Sequence, residues 1–72
     1  MNYEPLPAML KVGDKVACPK HYDPPAVYEV FKVDDFASGR IYLMNEAGVT
    51  LHGNLNVELL KSYDYEIIAN NS

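Results

Sequence analysis

Short runs of apolar and β-branched residues, broken at close intervals by Gly, Pro, Asn and Asp, constrain this chain more than any other feature of it. The runs fall at Val12 to Cys18, Val27 to Val33, Ile41 to Met44, Val49 to Leu55 and Tyr65 to Ile68. Each has the length of a strand and each is bounded by turn-forming residues, which is the pattern of a small all-β domain. The spacing predicts a five-stranded small barrel.

Within these runs the side-chain period of two residues assigns faces. Gly13-Asp14 marks a bend, after which Val16 and Cys18 share a face, and Pro19 ends the strand. The stretch from Pro19 to Ala26 is the longest irregular segment of the interior, with Pro24-Pro25 holding the backbone extended. In the second run apolar residues occupy both faces, so a bulge near Phe31-Lys32 is expected, letting Val30 and Val33 both point inward. Asn45-Glu46-Ala47-Gly48 reads as a hairpin loop in which Gly48 takes a left-handed conformation. Ile41 and Leu43 would then share the core face with Val49 and Leu51. Gly53-Asn54 permits a sharp corner. Asn56 is placed to cap a single helical turn, Val57 to Lys61, too short to stand without its leucines packed against a core.

The chain divides on this reading into an extended N-terminal arm over residues 1–9, a barrel over 10–68 and a frayed tail over 69–72. Pro5 and Pro7 in an aperiodic mixture suggest that the arm is neither helix nor paired strand. At 72 residues a domain buries only about 60% of the surface its unfolded chain would expose, so its stability is marginal. A lone cysteine, Cys18, forms no internal disulfide and fits a reducing compartment. The opening Met1-Asn2-Tyr3-Glu4-Pro5 has no basic start or apolar run of the export type, and no stretch approaches the roughly 20 residues of a membrane helix. A cytoplasmic protein is the expectation.

The order of elements resembles the SH3-like small barrel over roughly residues 10 to 68. Val12-Gly13-Asp14-Lys15-Val16 is similar to the first strand of KOW-type and Tudor-type members, and Leu59-Leu60-Lys61-Ser62-Tyr63 to the helical turn before the closing strand. Stand-alone acidic barrels of this size also resemble accessory proteins of bacteria and their phages. In SH3 domains proline helices dock on aromatics of the first long loop, a later tryptophan and a tyrosine of the helical turn. The resemblance therefore implies a partner-binding surface at Tyr22 and Tyr63, with Asp23, Asp34 and Asp35 as an acidic wall. The tryptophan has no counterpart, since the chain holds six Tyr, two Phe and no Trp.

Other chemistries are weaker. Cys18-Pro19-Lys20-His21 has the spacing of half a zinc site, but a closed site needs four ligands and only His52 or a carboxylate remains. The simpler reading is a buried structural thiol and an exposed loop histidine, with no metal and no cofactor. Cys18, His21 and Asp23 are adjacent in sequence, whereas catalytic groups converge from separate elements in a pocket that a small barrel rarely encloses, so no enzyme is expected. Ten acidic residues against six basic ones give a net charge of −4, which works against nucleic-acid binding. A nucleic-acid platform would need Lys15, Lys32 and Arg40 on one face with Phe31 or Tyr42 between them; a solvated face of mixed charge is the plainer alternative. The leading expectation is a non-catalytic protein-interaction module, the second a KOW-like or Tudor-like nucleic-acid or ribonucleoprotein accessory. An open strand edge would also allow a homodimer.

Overall fold

A computed structural model describes residues 2–34, 39–51 and 53–69. Its elements are β1 (Asn2–Pro5), β2 (Lys15–Ala17), β3 (Tyr28–Asp34), β4 (Arg40–Asn45), α1 (Val57–Ser62) and β5 (Glu66–Ala69). The strands form one antiparallel sheet in the order β1-β5-β2-β3-β4, with α1 as the one helix among the described residues. The protein is thus all-β and five-stranded. Its sheet is not closed into a barrel, because β1 and β4 are its two ends and no ladder joins them among the described residues.

The five strands are not the five expected. The N-terminal arm is extended but paired: Asn2, Tyr3, Glu4 and Pro5 stand opposite Ala69, Ile68, Ile67 and Glu66. Proline is compatible with this place because β1 is an edge strand, and a residue with no amide hydrogen loses nothing on the side that has no neighbour. The chain then turns Leu6 and Leu10 into the core, at 6% and 5% exposure.

Conversely, the run expected as the fourth strand is only a loose strip along β4. Asn45 donates to the carbonyl of Val49 at 2.9 Å, Leu51 to that of Leu43 at 3.0 Å, and Ile41 to that of Leu55 at 2.8 Å. Between the last two contacts, the step from Leu43 to Ile41 on β4 is matched by the step from Leu51 to Leu55 on the strip, so the register cannot continue. Gly53, at φ +116°, absorbs the excess in a conformation that side chains with a Cβ avoid. The strip nonetheless occupies the outer edge of β4 and removes it as a site of intermolecular pairing. Val49, expected in the core, is exposed because it pairs opposite Asn45 at the hairpin tip, beyond the apolar layer.

Where local rules act alone the expectations hold. The β3–β4 register skips Phe31 between Val30 and Lys32, and Val30 is fully buried while Val33 packs on the core. Gly48, at φ +83°, donates to the Asn45 carbonyl at 3.0 Å and closes the hairpin. Asn56 Oδ1 accepts from the Leu59 amide at 2.8 Å, which caps α1. The core is Leu6, Leu10, Val16, Val30, Ile41, Leu43, Leu55 and Leu60, the last carried by α1. No helix is long and apolar enough to cross a membrane among the described residues.

Candidate functional site

Helix α1 ends in an unusual way, and the ending builds the site. The Tyr65 amide donates to the Leu60 carbonyl and the Asp64 amide to that of Lys61, both at 3.0 Å, which is the paired closure of a Schellman motif. Its left-handed position is normally filled by glycine. Here it is Asp64, at φ +63°, a conformation that costs a residue with a Cβ about 1 kcal/mol or more. The apolar contact that accompanies such an ending is present, with Leu60 buried and Tyr65 packed on the core.

The Asp64 side chain meets a second turn, made just after β2. The amides of His21 and Tyr22 both donate to the Cys18 carbonyl at 3.3 Å, a tight coil that turns Tyr22 outward. Two contacts tie this coil to the end of α1. The Cys18 thiol donates to the Tyr63 carbonyl at 3.2 Å, and His21 Nε2 lies 2.8 Å from Asp64 Oδ2. Cys18 is a buried thiol engaged with backbone oxygen and His21 an exposed loop histidine. Among the described residues no cluster of three metal-ligating side chains forms; His52 lies outside them.

Between the two turns is an open hollow of about 400 Å³ whose walls are Tyr22, Tyr63 and Tyr65, with the His21–Asp64 pair at its rim and Cys18 in its floor. Tyr22 is 63% exposed and Tyr63 56%. The hydrogen bond from His21 holds the Asp64 carboxyl below its ordinary value, helped by the charges of His21 and Lys20. Burial pushes the Tyr65 phenol up, with Tyr28, Cys18 and Tyr22 adding to the effect.

The structure brings Tyr22 and Tyr63 together and leaves much of the expected acidic wall elsewhere. Asp23 is exposed beside Tyr22 but does not line the hollow. Asp34 is remote for a reason of register: Val16 stands opposite Tyr28, so the Cys18 turn lies past the start of β3, whereas Asp34 ends that strand opposite Arg40. Asp35 lies outside the described residues. The acid that does face the tyrosines is Asp64, which sequence reasoning missed. Its signal was an aspartate standing where a helix ending favours glycine or asparagine. Tyr28 and Tyr65 pack against the core, as tyrosines of a small rim do.

Because the folded carboxyl titrates below its unfolded value, the His21–Asp64 contact contributes stability above the ordinary carboxylate range and loses it as pH falls through the depressed value. Both partners are solvent-exposed, so the effect on stability is small. The titration itself is the better readout. His21→Ala is expected to return the Asp64 midpoint toward 3.8 in an NMR pH titration of the carboxyl carbon, and an unmoved midpoint would remove the imidazole as its cause.

The fold and the hollow together define a small all-β domain with an exposed aromatic recess. Comparison with protein-family models, with curated protein sequences and with solved structures finds no significant match.

Proposed function

We propose that this protein is a non-catalytic protein-interaction module that seats a segment of a partner in the hollow between Tyr22 and Tyr63. The observation that carries the reading is the convergence of these two rings, from loops far apart in sequence, on one recess while both stay largely in water. An aromatic ring left exposed gains its burial energy only when something covers it, and tyrosine offers large contact area at low entropy cost. The side-chain ties made by Cys18 and His21 hold the two walls in place before any partner arrives, which limits the ordering cost of association. A non-catalytic role agrees with the chemistry of the recess, whose thiol donates to a backbone carbonyl rather than to the imidazole.

The test is capture of a partner from host lysate, read by mass spectrometry and then measured with the purified partner. Tyr22→Ala with Tyr63→Ala is expected to weaken capture at least tenfold while thermal unfolding is little changed, because both rings are exposed. Asp64→Gly complements this pair: it relieves the left-handed backbone, so the fold is retained, and removes the acid at the rim. Undiminished capture by the double tyrosine variant would place the binding surface elsewhere.

A further inference from the structure

On the outer face of the β3–β4 ladder, away from the hollow, a second group of side chains converges. The bulge leaves Phe31 as the extra residue between the Val30–Leu43 and Lys32–Tyr42 pairs, and the ring emerges at 39% exposure. Lys32 stands directly opposite Tyr42, and Arg40 precedes Tyr42 by one strand period, so all three share a face. The contacts follow from that register. Lys32 Nζ lies 5.1 Å and Arg40 Cζ 4.7 Å from the Tyr42 ring centre, and the Phe31 and Tyr42 rings are 6.0 Å apart. Lys15 stands on the same face two strands from β4, since it pairs opposite Glu29, which pairs opposite Met44, one strand period from Tyr42; Glu29 therefore shares the face as well.

We propose that this face binds single-stranded nucleic acid, with a base stacked on Phe31 and the adjoining phosphates held by Lys32 and Arg40. Lys32 and Arg40 each lie within cation–π range of the Tyr42 ring, and Arg40 Nη2 also donates to the Gly53 carbonyl at 3.4 Å. Neither makes an ion pair among the described residues, although Asp34 stands opposite Arg40 in the ladder. Charge complementarity calls for an anionic ligand, and the exposed ring beside the cations calls for one with a flat π-face of its own. Nucleotides combine the two, and stacking on an aromatic side chain tolerates any base. The net charge of −4 gives no long-range attraction, so binding is short-ranged and rests on few phosphates.

Fluorescence anisotropy of a labelled oligothymidylate with the full chain tests this. Two neutralised phosphates of a single strand predict a salt slope of about −1.4, hence roughly a sevenfold weakening between 50 and 200 mM salt. Phe31→Ala is expected to weaken binding about tenfold through loss of stacking. Lys32→Ala should flatten the salt slope by about half, and Asp34→Asn should strengthen binding. Melting curves of each variant confirm that it is folded, and Lys32, exposed at the surface, provides a variant that leaves the core untouched. The Tyr22 and Tyr63 substitutions should leave this affinity unchanged, which separates the outcome from that of the partner-binding hollow. No saturable binding at 50 mM salt, equal competition by an acidic peptide, or unchanged affinity in Phe31→Ala would each overturn the proposal.

Discussion

Leu43→Ala is expected to lower the thermal unfolding midpoint by about 10 °C or more, the largest effect of any single substitution considered. Leu43 is fully buried at the centre of β4, opposite Val30, and its truncation removes transfer energy and opens a cavity, a loss of about 2–5 kcal/mol. A chain of 72 residues has a total stability of about 4–11 kcal/mol on per-residue scaling, so a substantial part is lost. Circular dichroism during heating gives the measurement. A midpoint within a few degrees of the unsubstituted protein would mean that the core does not centre on this residue.

Removal of residues 1–5 is the second large effect. A loose arm can be trimmed without consequence, because disordered ends carry no contacts. Here the truncation deletes the whole β1–β5 ladder, at roughly 1 kcal/mol for each hydrogen bond lost, and strips one edge from β5. The expected result is a midpoint lower by about 5 °C or more. A tendency of the truncated chain to self-associate through the uncovered edge should accompany it, visible by light scattering. Unchanged melting and unchanged light scattering would return residues 2–5 to the status of an appendage. Leu6→Ala, which leaves the ladder intact, separates the contribution of the strand from that of the leucine behind it.

What could be read from residues alone was local. Asn56 announced its cap, Gly48 its turn and the crowded apolar pattern around Phe31 its bulge, since each is decided within a few bonds of the residue concerned. Pairing is decided at a distance, and there the reading went astray. Pro5 and Pro7 counted against a strand because proline breaks central ladders, yet edge position, a property of the whole sheet, makes it harmless. The Val49 to Leu55 run looked like a strand and forms only a strip, because its spacing does not match that of β4. The same division applies to the hollow. Tyr22 and Tyr63 were visible as aromatics in irregular segments, whereas the remoteness of Asp34 and the arrival of Asp64 both depend on register and on a left-handed helix ending.

The sheet order has a temporal consequence as the chain leaves the ribosome. Strand β5 is synthesised last of all the strands, yet it lies between β1 and β2, so the first strand made has no neighbour until residues 66–69 emerge. Until then the nascent polypeptide can assemble only β2, β3 and β4, with Leu6 lacking the strand that positions it. Loss of residues 66–69 would therefore leave β1 without its pairing strand as well as removing β5 itself.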